Sequence, residues 1–447
     1  MKMRFLLLVA LFFRMVLFAQ DSPKTYSLRQ CIDYALINNT EIKNSTIDEY
    51  IAKSKVDEYK GTGLPQISGS AGVQSAKPLR NMYLQNNPGP FFDSRAPAGA
   101  VMVAPNFFQL PNTIDASLTL TQLIFSSSFF VGLKAAKTYK ELATTSKEVS
   151  KISITESVTK AYYMALINQE RKNLFDINIS RVDSLLKQTR ALNKSGFAEK
   201  LDVDRIEVTY NNLLTEKRNF ENLLVLSGLL LKYQMNLPVN EELVLSDKIE
   251  NLTVDTNLLS GKADYNNRPE YRLLKKQQQL ESLNHKNNIY SLLPNLAFSA
   301  NVGYFTQSPD YNFKYPFSRY GTYTLGLNMP IFTGFTRLKK IQQSKLALSK
   351  SDNNLLQFER TVDFQARSSE INYKNSIQSL QSQQRNMDLA KEVARVTRIK
   401  YTSGVGSNIE VITAESSLKE AQVNYYNALY DALVQKVDFD KSLGNLK

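Results

Sequence analysis

The chain has 447 residues, of which 43% are apolar and 22% charged, a composition typical of folded proteins and unlike that of disordered ones. It contains one cysteine, Cys31, and one histidine, His285. The single cysteine excludes an internal disulfide framework and a cysteine metal cluster, and the single histidine argues against histidine-based zinc or triad sites. The net charge of +13 comes from lysines and arginines interleaved with acidic residues, which favours solvated helix faces over a nucleic-acid interface. We therefore expect no enzyme, no cofactor or metal site, and no nucleic-acid partner.

Residues 1–20 have the pattern of a secretion signal peptide. A basic start with Lys2 and Arg4 precedes a mainly apolar run at 5–18, and Ala19 supplies a small residue for cleavage. The run is too short to be assigned as a membrane-spanning helix, and the rest of the chain has no segment of 18 apolar residues. Any insertion of the mature chain into a membrane is therefore expected to use strands.

Two segments of the first half, at about 66–76 and 113–125, alternate between apolar and small or polar residues. A period of two is the pattern of a β-strand with one apolar face. The length of each segment suits a membrane barrel with a wet lumen, although a soluble β-sandwich has the same alternation. The loop at 77–112 that joins them is rich in Pro, Gly and Asn, and we expect it to be extracellular and to cap or plug a pore.

Proline is absent from 112–237 and again from 331–447, and glycine is rare in both runs. Since these two residues are the main helix breakers, each run predicts long helices. One break interrupts each run, at Ser195-Gly196-Phe197 and at Ser403-Gly404-Val405, so each run is predicted to be a helical hairpin. The first helix of each hairpin is predicted to have about 65 residues, far more than the average of about 11–12 residues for helices in globular proteins.

The two halves of the chain repeat each other. Leu64-Pro65-Gln66-Ile67 recurs as Leu293-Pro294-Asn295-Leu296, and Ser195-Gly196 recurs as Ser403-Gly404. Each repeat is predicted to contain a helix, two strands, a long helix and a second helix. The domain boundaries are a first repeat at 21–237, an equatorial linker at 238–266, and a second repeat at 267–447 with strands at about 295–306 and 321–332.

Aromatic residues cluster beside both pairs of strands, where the girdles of a membrane barrel lie. Four strands are too few to close a barrel, and open sheet edges are not tolerated in lipid. If the strands cross a membrane, several copies of the chain must therefore share one pore. The sequence pattern alone leaves a dimer, a trimer and a tetramer open.

The duplicated pattern, the Leu-Pro before each first strand, Tyr401-Thr402-Ser403-Gly404 and the stretch from Ile409 to Glu415 together resemble the TolC-like outer-membrane factors. The resemblance implies a mostly α fold with membrane β-structure. Long periplasmic helical hairpins would form an α-barrel, and four strands per chain would contribute to a 12-stranded outer-membrane β-barrel in a homotrimer. It also implies a passive channel of a tripartite efflux or type I secretion system. Its partners would be a periplasmic membrane-fusion adaptor, an inner-membrane pump and the lipid of a Gram-negative outer membrane.

The same resemblance implies functional positions. An acidic ring that narrows the periplasmic mouth would include Glu410, with Thr413 at its second position. A latch would include Tyr401 and Asp202, but Gly406 stands where the family has an arginine, so the latch must differ here. Adaptor docking would use the turn residues Ser195, Gly196, Phe197, Ser403, Gly404 and Val405.

Two other interpretations remain open at this point. A soluble periplasmic coiled-coil scaffold or adaptor would also contain a helical hairpin, but it would lack four strands placed symmetrically in a duplicated chain. An enzyme could use Asp202 and Asp204 as an acid pair or a metal site, but residues two apart on a helix do not face each other.

Overall fold

The computed structural model describes residues 25–86, 97, 99–104, 109–249, 264–310 and 314–446. The predicted signal peptide, parts of the loop at 77–112 and residues 250–263 of the predicted linker lie outside this described part. The chain divides into two compact units. The first consists of Met1–Tyr50, Glu141–Lys276 and Asp352–Lys447, and the second of Ile51–Lys140 and Gln277–Ser351.

The chain is mostly helical and contains a few strands, as the sequence predicted. Two helices have 68 and 67 residues, and each is followed by one of 36 residues. The helices are α1 Leu28–Asn38, α2 Thr40–Gly61, α3 Ser127–Lys194, α4 Lys200–Met235, α5 Pro269–Tyr290, α6 Thr336–Thr402 and α7 Asn408–Leu443. The strands are β1 Thr25–Tyr26, β2 Gln66–Ser75, β3 Met82–Gln85, β4 Val101–Ala104, β5 Asn112–Phe125, β6 Val244–Leu245, β7 Asn295–Ser308 and β8 Ser318–Asn328. No helix in the described ranges is both long and apolar enough to cross a membrane.

The second unit contains an antiparallel sheet with the strand order β2-β5-β7-β8. Its register aligns apolar residues with apolar ones and polar residues with polar ones. In the row that contains Gly69, Leu118 and Val302, the facing residues are mainly apolar, whereas the row of Ser70 and Ser117 is polar. Because side chains alternate between the two faces of a strand, one face of the sheet is apolar and the other is polar.

The fourth strand of the sheet differs from its prediction. β8 begins at Ser318 rather than at residue 321 and ends at Asn328 rather than at 332. Pro330 has no backbone N–H for a sheet hydrogen bond, which stops the pairing. Gly334 and Phe335 then adopt positive φ angles of 59° and 65° and turn the chain into α6. The sequence pattern missed this stop because Ile331 and Phe332 continue the apolar character of the strand.

The core of the first unit forms where residues 26–42 pack against α3, α4 and α7. Its centre is Tyr162, whose side chain is fully buried. The Tyr162 hydroxyl donates to the Asp247 carboxylate over 2.8 Å, and the same carboxylate accepts from the Leu28 amide over 3.0 Å. The short parallel pair β1–β6 lies beside these contacts. Residues far apart in the sequence therefore hold the first helix in place.

Candidate functional site

The two predicted breaks are tight turns that connect α3 to α4 and α6 to α7. Gly196 and Gly404 adopt left-handed conformations, with φ angles of 80° and 76°. In each turn, the amide of the residue that follows the glycine donates to a carbonyl of the preceding helix. The Phe197 amide donates to the Leu192 carbonyl over 2.8 Å, and the Val405 amide donates to the Lys400 carbonyl over 3.0 Å. This pattern is the Schellman ending of a helix, which favours glycine at the left-handed position.

The turns present apolar side chains to solvent. Phe197 and Val405 are each 82% exposed, and the neighbouring Ser195 and Ser403 are exposed as well. These apolar side chains are available for contact with another molecule. Just beyond the turns, α3, α4 and α7 share a buried apolar cluster, which makes the turns a firm platform: Val182, Leu185, Leu186, Val203, Ile206, Leu213 and Val411.

Polar side chains link the two helical hairpins below the turns. The Tyr401 hydroxyl lies 2.8 Å from Oγ1 of the fully buried Thr189. Nδ2 of Asn408 donates to the backbone carbonyl of Asp202 over 2.9 Å and to its carboxylate over 3.1 Å. The structure therefore gives Tyr401 and Asp202 separate partners on the opposite hairpin and does not join them in one hydrogen bond.

The backbone at Gly406 leaves little space for a side chain. A Cβ atom at this residue would lie 2.9 Å from the Tyr401 amide nitrogen and 3.0 Å from the Lys400 Cβ. The Gly406 amide also donates to the Lys400 carbonyl over 3.1 Å, which keeps the turn close to the end of α6. A side chain at residue 406 would therefore require this turn or the end of α6 to shift.

Glu410 and Thr413 lie on the exposed side of α7, at its start. The amide of Glu410 is capped by the Ser407 hydroxyl at 3.3 Å. Both side chains line a groove of about 450 Å³ between α6 and α7, together with the apolar Val393 and Ile409. A carboxylate in the first turn of a helix also interacts favourably with the helix dipole. The Glu410 side chain is exposed to solvent.

Charged side chains form a second set of links between the hairpins, further along the helices. The sequence pattern did not predict these links. Glu415 is 8% exposed, and its carboxylate lies 3.6 Å from Nε of Arg181. The Arg181 carbonyl in turn accepts from the guanidinium of Arg398 over 2.9 Å. Charged residues on a mostly polar helix give no sequence signal of burial, because only the packing of α3 against α7 encloses them.

The comparisons with known proteins agree with one another. Residues 270–445 match the family model described as "Outer membrane efflux protein". The outer membrane protein TolC of Salmonella enteritidis is 22% identical over 94% of this chain and 82% of its own. The probable efflux pump outer membrane protein TtgC of Pseudomonas putida is 21% identical over 94% and 83%. The crystal structure of CusC has the same fold, with a TM-score of 0.76, 13% identity, and coverage of 96% of this chain and 95% of its own.

Over most of its length, the chain is similar to outer membrane efflux proteins.

This similarity favours one of the interpretations that the sequence left open. The chain is an outer-membrane efflux channel protein and not a periplasmic scaffold. Within the described residues, no group of three or more His, Cys, Asp or Glu side chains is placed to hold a metal.

Proposed function

We propose that three copies of the chain close their sheets into one 12-stranded barrel in the outer membrane. The observation that carries this proposal is the four-stranded sheet itself. Its outer strands β2 and β8 each pair with one neighbour only within the described residues. Its apolar face is open, with Ile67 72% and Leu325 66% exposed. Pairing β8 of one copy with β2 of the next satisfies both edges and turns the apolar face towards lipid.

The polar face would then line a water-filled lumen through which substrates pass passively. An inner-membrane pump and a periplasmic adaptor would deliver the substrates, and the pump would supply the energy, so the chain would catalyse no reaction. The turns with Ser195, Gly196 and Phe197, and with Ser403, Gly404 and Val405, would receive the adaptor. Their exposed Phe197 and Val405 side chains support this assignment.

The gate at the periplasmic mouth would be held shut by the links between hairpins. In each copy, Asn408 would tie α7 to Asp202 of α4, and Tyr401 would tie α6 to Thr189 of α3. Opening would require the α6–α7 hairpin to leave these partners. Three copies of Glu410, beside Thr413, would surround the mouth with negative charge and favour cations there.

Cross-linking tests the shared barrel directly. Ser68 in β2 and Thr322 in β8 lie in one row of the polar face, at opposite edges of the sheet. In the double variant Ser68→Cys/Thr322→Cys, a bismaleimide should join neighbouring copies into covalent dimers and trimers. The native Cys31 is fully buried and should not interfere.

Each single-cysteine variant serves as the control, because one thiol per copy joins at most two copies. A double variant that yields only monomers, from protein that remains folded in detergent, would contradict the shared barrel.

The gate assignment is tested separately by ion selectivity. Glu410→Ala should reduce cation selectivity, while Glu420→Ala, an exposed carboxylate further along the same helix, should leave it unchanged.

A further inference from the structure

One end of the polar face of the sheet differs in chemistry from the rest. It is the end at which loops join β2 to β5 and β7 to β8. There the side chains of Asp115, Phe305 and Tyr320 lie on the same face, as the register shows. We name these three residues the loop-end cluster. Elsewhere along the strands, this face carries mainly Ser, Thr, Asn and Gln side chains.

The two aromatic rings of the loop-end cluster are in contact. The ring centroids of Phe305 and Tyr320 are 5.9 Å apart, with an interplanar angle of 67°. Tyr320 is opposite Gly303 in the register, and a Cβ atom at Gly303 would lie 2.9 Å from the Tyr320 Cζ. The glycine therefore leaves the space in which the tyrosine ring crosses β7 towards β5. The rings form a small aromatic platform on an otherwise polar surface.

The carboxylate of Asp115 lies beside this platform. Asp115 is directly opposite Phe305 on one side and Gly72 on the other. Its Oδ1 lies 3.2 Å from the position that a Cβ atom would take at Gly72, so this second glycine gives the carboxylate its room. Asp115 is half-buried, and Phe305 is 37% exposed. Both remain accessible from the polar face.

No counter-charge on the sheet neutralises Asp115. It is the only acidic residue in the four strands, and Arg319 is the only basic one. Arg319 pairs with Tyr304 in the register and therefore lies on the apolar face. No ion pair of Asp115 exists among the residues that the structure describes. The negative charge of the loop-end cluster is thus presented to whatever passes along the polar face.

We propose that the loop-end cluster is a binding site for organic cations with apolar or aromatic groups. A carboxylate beside partly exposed aromatic rings suits a cation whose charge is spread over apolar substituents, because charge attraction and cation–π contact then act together. This inference rests on the proposed channel function, in which the polar face lines the lumen. In three copies, three carboxylates and six rings would surround the exit. The duct would therefore select for organic cations at its outer end, independently of Glu410.

The probe for the test is tetraphenylphosphonium, an apolar organic cation. Added to single channels in a planar bilayer, on the side of the strand-joining loops, it should cause brief blocks of the current. Asp115→Asn should weaken the block at least tenfold, and Phe305→Leu, which keeps an apolar side chain without a ring, should weaken it severalfold. Tyr320→Phe keeps the ring and should leave the block unchanged. The matched control is Arg319→Gln, at the same end but on the other face, which should also leave it unchanged.

A block of equal strength in the wild type and Asp115→Asn would overturn the proposal. A block by tetramethylammonium as strong as that by tetraphenylphosphonium would overturn the role of the rings. Calorimetric titration of the detergent-purified protein with tetraphenylphosphonium separates this inference from the channel function. Binding that depends on Asp115, from a protein that conducts no current, would keep the site and contradict the channel. Conduction with no Asp115-dependent binding would keep the channel and contradict the site.

Discussion

Removing the side chain of Asn408 should open the proposed gate. Asn408 is 5% exposed and donates to both the backbone carbonyl and the carboxylate of Asp202. A neutral hydrogen bond contributes about 0.5–1.5 kcal/mol net, and one to a charged acceptor about 1.5–3 kcal/mol. The buried Oδ1 of Asn408 has no partner within the described residues, so its removal offsets part of this loss. Asn408→Ala should therefore destabilise the closed tip by about 1.5 kcal/mol per copy.

That free energy corresponds to about a tenfold change in the ratio of closed to open states for each copy. The effect should be larger if three copies open together. The assay is single-channel recording of Asn408→Ala, in which the high-conductance state should occupy a much greater share of the time. Asn193→Ala is the matched control, because Nδ2 of Asn193 donates over 2.8 Å to the Ala198 carbonyl within one turn and does not link the two hairpins. Equal open fractions in both variants and the wild type would refute the latch.

Three further predictions concern the first unit. Burial raises the pKa of the Cys31 thiol to about 12. Maleimide at pH 8 should therefore label Cys31 only after denaturation. Fast labelling of the folded protein would contradict the packing around this residue. Burial opposes charge on Glu156, but hydrogen bonds from two lysines outweigh it and hold its pKa below the ordinary value. A carboxyl group whose pKa is lower in the folded state stabilises the fold above its unfolded pKa, and this stability is lost as pH falls through the folded pKa. The melting temperature of the wild type should therefore exceed that of Glu156→Gln at pH 7, and the difference should shrink below about pH 4. A difference that does not change with pH would contradict the lowered pKa. Gly406→Ala should lower the melting temperature because its Cβ would meet the Tyr401 amide at 2.9 Å, whereas Gly228→Ala, with open space around it, should not; equal effects would contradict the close approach.

Much of the fold could be predicted because it depends on local chemistry. The absence of proline and glycine predicts the long helices, and Gly196 and Gly404 mark turns that only a left-handed residue closes easily. Period-two alternation locates all four strands of the sheet. The end of β8 was predicted at residue 332 instead of Asn328 because the alternation gives weight to apolar character and none to the missing N–H of Pro330.

The partners within the candidate site could not be predicted, for a physical reason. Tyr401 meets Thr189, and Asn408 meets Asp202, across sequence separations of 212 and 206 residues. Such pairs depend on how two long hairpins are aligned, and a shift of one helical turn would give each residue a new partner. The loop-end cluster was missed for a similar reason. Its residues come from three strands, and only the register brings them to one face.

Single-channel recording of the purified mature protein in a planar bilayer tests whether this chain forms a shared conducting duct. We expect discrete, uniform openings that are cation-selective in the wild type and less selective in Glu410→Ala. A folded sample that stays in solution without detergent and never inserts into the bilayer would contradict this expectation.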